Sequence, residues 1–282
     1  MLDFVRVISE YGSDFNQPDP TSVAMDSPPT LLAPAQPPAS SLSNRLLNVF
    51  AAPGDVFDEL KTTQSCVANW LVPVCLGCLM GIIYALVVFS QDNIIHSMQE
   101  MQEQSIRSRF QKQVEAGKMS QEQVDQAVEM ARRFSGPTMM KIFGSVGAVF
   151  FNFGMLHFVG LLVWLLGTKV FNGQFGYMKA VEAAGLAGVI HVLGGVIGML
   201  LALVMGNIAM TPGPVLLVRE FNPADKVHVL LSQMNLVMLW YVAVVALALA
   251  KLSGASFGRS AAWLFTIWAA IVLLFTVPGW GR

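Results

Sequence analysis

The residues of this chain best suited to chemistry are His157 and His191, each embedded in a long apolar run. Asn152 and Asn235 are polar groups in or beside similar runs, while Glu182 and Asn207 flank the run holding His191. In lipid an ionisable group is costly, which makes it a functional suspect by default. His157, His191, Asn152 and Asn235 therefore make a candidate intramembrane polar site, suited to a proton, an ion or a small solute. The plainer alternative keeps each histidine neutral and hydrogen-bonded inside a packed bundle. Cys75-Leu76-Gly77-Cys78 places two thiols on one helix face. With both histidines they would complete a two-Cys, two-His ligand set, provided three apolar segments met at one depth. Alone in apolar surroundings the two cysteines behave as small hydrophobes.

Several chemistries leave marks that this sequence lacks. It has no His-Glu-x-x-His zinc helix, no Gly-x-Ser-x-Gly nucleophile turn and no Walker loop. No aspartate falls inside an apolar run, which argues against a paired-aspartate protease. The expectation is no catalytic residue, no metal and no cofactor. An enzymatic reading would need Glu182 and a histidine as acid and base acting on lipid. Glu182 is expected instead at the membrane surface beside Lys179, solvated.

The elements that position these groups are set by a bilayer. Of 282 residues, 54% are hydrophobic and 12% charged, against roughly 25% charged in an ordinary soluble domain. Mean hydropathy is +0.57. Five apolar segments are long enough to cross about 30 Å of hydrocarbon. They run near Trp70–Phe89, Ile142–Leu166, Ala183–Val204, Leu236–Leu252 and Ala261–Val277. The expected fold is an all-α membrane protein, a bundle of five transmembrane helices with a juxtamembrane amphipathic helix and an extramembrane helical hairpin. An odd number of spans puts the termini on opposite faces. Cations near the spans balance across the two faces, so charge does not fix orientation. A net charge of −1 gives no field to attract nucleic acid, and the partners expected are membrane lipid and proteins.

Outside the spans the chain divides further. Residues 1–41 carry seven prolines and little apolar pattern, too little to offset the entropy of ordering, so a disordered arm is expected, with a short helix at 2–10 on binding. No cleavable signal is read there. Residues 42–63 form two short amphipathic helices split at Pro53-Gly54, with Leu46, Val49, Phe50, Val56, Phe57 and Leu60 on one face and Arg45, Asp58, Glu59 and Lys61 on the other. Two placements suit that pattern, in the headgroup plane or packed on the bundle. Residues 64–282 hold the five spans, with an insert at 91–139. The insert shows two helical stripes around a turn at Ala116-Gly117-Lys118-Met119, and Ser120-Gln121-Glu122-Gln123 has the form of a capping box. Its apolar stripe serves either to pair the two helices or to dock a partner. Small residues mark helix packing: Gly194 with Gly198, and Gly144 with Ala148. They fit packing within one bundle, or a homo-oligomer through the third span.

Three stretches in this order resemble the Yip1 domain family, in its bacterial branch. The first is Leu46-Leu47-Asn48-Val49-Phe50-Ala51-Ala52-Pro53-Gly54-Asp55-Val56-Phe57-Asp58-Glu59-Leu60. The second is Ala68-Asn69-Trp70-Leu71-Val72-Pro73. The third is Asn235-Leu236-Val237-Met238-Leu239-Trp240, followed by the polar turn Leu252–Ala261. The resemblance covers roughly residues 44–278 and implies five spans, a cytosolic N-terminus and no catalytic residue. It implies a link to vesicle trafficking and Rab-type GTPase partners for eukaryotic members, and nothing as definite for bacterial ones. The insert at 91–139 is longer than a minimal family loop, and the Pro-rich arm is outside the resemblance. The function expected is a non-enzymatic membrane organiser or adaptor, with a small-solute or ion transporter or channel as the alternative.

Overall fold

A computed structural model describes residues 40–276 except 220, 223 and 224. Nearly all of the Pro-rich arm, the helix expected at 2–10, and Val277 lie outside the described residues. Ten α-helices are present among the described residues, with no strand. In chain order they are α1 (Leu42–Ala51), α2 (Pro53–Thr62), α3 (Ala68–Val88), α4 (Asp92–Glu115), α5 (Gln121–Phe134), α6 (Pro137–Leu165), α7 (Tyr177–Met205), α8 (Lys226–Gln233), α9 (Leu236–Ser253) and α10 (Phe257–Thr276). A π-helical turn, Leu166–Val170, extends α6.

Five segments are long and apolar enough to cross a membrane: Ala68–Val88, Pro137–Val170, Tyr177–Met205, Leu236–Ser253 and Phe257–Leu274. The protein is an integral membrane protein with a five-span helical bundle. The second and third spans begin earlier than hydropathy suggests, at Pro137 of α6 and Tyr177 of α7. Lys179 and Glu182 therefore lie within α7 rather than ahead of it.

Helix α7 is central. It packs against α3, α6 and α9, while α9 also carries α10 and α2. Along its first half Ala180, Val181, Glu182, Ala183, Leu186, Ala187 and Ile190 are fully buried. Small side chains permit this, because helices in lipid gain by close backbone approach and not by hiding from water. Gly185 marks the tightest point: a Cβ there would lie 2.5 Å from Trp70 Cα of α3.

The amphipathic pair before the first span takes the packed placement. Ser41 caps α1 by accepting from the Asn44 N–H, and Pro53 opens α2 with Asp55 in its first turn. Val49, Val56, Phe57 and Leu60 join the main core. One outward assignment is overturned: Arg45 is only 6% exposed, because Glu59 on α2 and the buried Asn69 on α3 hold its guanidinium.

Helices α4 and α5 form the hairpin. At about 1.5 Å per residue, the 24 residues of α4 span roughly 36 Å. Gly117 turns the chain with φ +66°, a conformation that favours glycine. Both halves of the Ser120–Gln123 capping box are formed. Arg107 bridges Glu103 and Asp125, Arg132 also pairs with Glu103, and Val124 and Val128 are buried. The hairpin base is fixed to the bundle by a second small core of Val88, Ile94 and Ala202.

Candidate functional site

The apolar environment leaves few polar groups, and the structure sorts them into separate places. The first is where α1 and α2 meet the ends of α3 and α7. Arg45 donates from Nη2 to Glu59 Oε1 at 2.7 Å and from Nη1 to Asn69 Oδ1 at 3.1 Å. Asn69 Nδ2 donates to Glu182 Oε2 at 2.7 Å. Ser40 donates to both Glu59 oxygens through its backbone N–H and its hydroxyl. Lys179 Nζ stands 3.7 Å from Glu182 Oε1, and neither of those two atoms has a hydrogen bond. Two cations and two carboxylates make the cluster neutral, which is what burial demands. Burial opposes ionisation of Glu59, but the hydrogen bonds from Ser40 and Arg45 outweigh it and hold its carboxyl below the usual range.

Glu182 is therefore not solvated, contrary to expectation; it is fully buried. No histidine hydrogen-bonds to it, so the acid–base pair with a histidine is not assembled. The signal for its burial was the run of small residues around it, Ala180, Ala183, Ala184, Gly185 and Ala187. Asn69 was missed as a functional residue, although it stands in the stretch before Trp70 that carries the family resemblance.

His157 belongs to an aromatic cluster beside this network. Its Nδ1 lies 3.0 Å from the Tyr177 hydroxyl, and its ring meets those of Trp70 and Tyr177. Tyr177 is the first residue of α7, so this contact ties α6 to the start of α7. His191 comes 14 residues later on the same helix, about 21 Å away at ~1.5 Å per residue. The four polar candidates thus do not form one site. Asn235 caps α9, accepting from the Val237 N–H at 2.9 Å.

His191 and Asn152 do share a place: a cavity of about 280 Å³ among α3, α6, α7 and α9. Tyr84, Tyr241 and the glycines Gly77, Gly81, Gly185, Gly188 and Gly195 also line it. The His191 and Tyr241 rings are 4.0 Å apart between centroids. Asn152 donates to Ala148 of its own helix at 2.8 Å, and its Oδ1 occupies the space a Gly77 side chain would need. Cys78 is buried and Cys75 exposed on α3. Among the described residues no three His, Cys, Asp or Glu side chains are placed to hold a metal ion.

The small-residue pairs separate as well. A Cβ on Gly144 would lie 2.8 Å from Ala85 Cβ, and Ala148 abuts Gly81, so this pair joins α6 to α3. Gly194 faces Val237 of α9 at 2.8 Å from the same construction, whereas Gly198 has open space.

No curated protein and no solved structure matches this sequence. The description of the Yip1 domain matches residues 47–277, a stretch that takes in most of the amphipathic pair, all five spans and the hairpin. On that match the chain belongs to the Yip1 domain family.

Proposed function

We propose that this membrane protein is a non-enzymatic organiser that holds protein partners at the bilayer through the α4–α5 hairpin. One observation carries the reading. The hairpin is closed by its own ion pairs and anchored at its base, yet α5 leaves Met130 62% and Phe134 56% exposed. The two are four residues apart and so share a helix face. Side chains of this kind anchor protein interfaces. The family resemblance supports a cytoplasmic N-terminus in a bacterial inner membrane, which puts the hairpin on the opposite face.

A photocrosslinking residue at position 130 or 134, in native membranes, tests this. Discrete protein adducts at both positions are expected, and lipid adducts only at Val204, which is 81% exposed on α7. Lipid adducts alone at 130 and 134 would overturn the reading.

A second reading, passage of a small solute or ion, is favoured by His191 and Asn152 sharing a cavity within the bundle. Proteoliposome flux that disappears in His191→Ala would support it. No flux across a broad solute panel would remove it.

A further inference from the structure

The cavity among α3, α6, α7 and α9 holds polar groups in a setting that provides them no partner. Tyr241 is only 6% exposed, and no hydrogen bond is made by its hydroxyl, by the Tyr84 hydroxyl or by the His191 imidazole to any described residue. In a bilayer interior each such group carries a desolvation cost unless something meets it. Water is a poor answer. The volume far exceeds the ~10–15 Å³ that admits one water, and each enclosed water wants two to four polar partners. A few polar atoms cannot satisfy a filled cavity.

The rest of the wall is shaped for an apolar body. Gly188 leaves the α7 backbone bare, since a Cβ there would meet nothing within 4 Å, while Gly77, Gly81, Gly185 and Gly195 seat side chains or backbone of the neighbouring helices. Met80, Met155 and Met238 add flexible side chains that adapt to an occupant. The volume of about 280 Å³ lies near the ~300 Å³ lower end of small-molecule sites. Phe151, 66% exposed, stands at the lipid-facing rim. The pattern is an apolar cradle with the His191 and Tyr241 rings side by side in its wall.

We propose that this cavity binds a membrane-soluble carbonyl compound, an apolar ring or chain whose C=O accepts hydrogen bonds from Tyr241 and His191. A neutral imidazole supplies one N–H and the phenol one O–H, which matches the two lone pairs of a carbonyl oxygen. The apolar body enters from lipid, so no hydrated species has to cross the wall. The site is independent of the hairpin and of its partners.

Equilibrium binding to the full chain in nanodiscs tests this with three probes. Decylubiquinone carries ring carbonyls, 2-dodecanone a chain carbonyl, and dodecane none. Saturable binding above protein-free nanodiscs is expected for at least one carbonyl probe, and which one tells ring from chain. Tyr241→Phe and His191→Leu should each weaken it about 3- to 10-fold, the range for one lost hydrogen bond. Gly188→Leu fills the cavity and should abolish binding. Gly154→Leu, also with open space at its Cβ but off the lining, should bind as the parent does. The proposal is overturned if neither carbonyl probe saturates, if dodecane competes equally, or if Tyr241→Phe and His191→Leu leave the affinity unchanged. Those two variants keep the test decisive should Gly188→Leu fail to fold.

Discussion

Asn69, in the first turn of α3, donates a 2.7 Å hydrogen bond to Glu182 on α7, and both side chains are sealed from solvent. Its other end accepts from Arg45 on α1. One amide thus links a short peripheral helix to the centre of the bundle, and its two ends match a cation on one side and an anion on the other.

Asn69→Leu keeps the volume and removes both hydrogen bonds. Arg45 then keeps only its Glu59 and Ser40 contacts, and Glu182 keeps Lys179 at 3.7 Å. A buried hydrogen bond to a charged group contributes about 1.5–3 kcal/mol. A large drop in thermal midpoint in detergent is expected, and an unchanged midpoint would show that the network is not structural.

Acid should loosen α1 first. Because the folded Glu59 carboxyl is held below its ordinary value of 4.5, the unfolded state binds the proton more readily. Its contribution is complete above that ordinary value and disappears as pH falls through the folded pKa. Hydrogen exchange across residues 42–51 should accelerate in that window, and Glu59→Gln should remove the pH dependence.

Gly185→Val should fail where Gly198→Leu succeeds. A Cβ at Gly185 runs into the α3 backbone at Trp70, which cannot move aside, whereas Gly198 has open space. Yields of folded protein after detergent extraction compare the two directly. Equal yields would mean that α3 and α7 do not meet as described.

Ser120→Ala removes the cap of α5, typically worth about 1 kcal/mol. The loss should stay local, because the hairpin joins the bundle at the other end of α4 through Ile94. Faster exchange at the amides of residues 121–124, with unchanged exchange in α7, is the expected pattern.

Native Cys66 is exposed in the short link before α3, on the N-terminal side of the first span. Met119→Cys would sit at the hairpin turn, across the membrane. With the N-terminus cytoplasmic, a membrane-impermeant maleimide on intact cells should label Met119→Cys and spare Cys66. The reverse result would invert the topology.

Much of this architecture is written in composition and period. The break at Pro53, the capping box at Ser120 and the positive-φ turn at Gly117 are local, set by residues within a few positions of one another. The span limits were less legible. Lys179 and Glu182 look like the outside of a membrane helix, since hydropathy counts a charge against insertion whether or not a partner neutralises it. The amphipathic face of α1 misled in the same way: Arg45 reads as outward until Asn69 and Glu59 are placed beside it.

By itself the sequence determined that the chain lives in lipid, crosses it five times and carries a closed polar hairpin, because backbone hydrogen bonding and segment length leave few alternatives there. Only the tertiary structure decided which polar groups meet. It sent His157 to an aromatic cluster with Trp70 and Tyr177, His191 and Asn152 to one cavity, Asn235 to a helix cap, and Glu182 to a buried network with Asn69 and Arg45. The physical reason is that membrane helices are apolar on every side. Hydrophobic pattern then says nothing about which face turns inward, and close contacts such as Gly185 against Trp70 settle it.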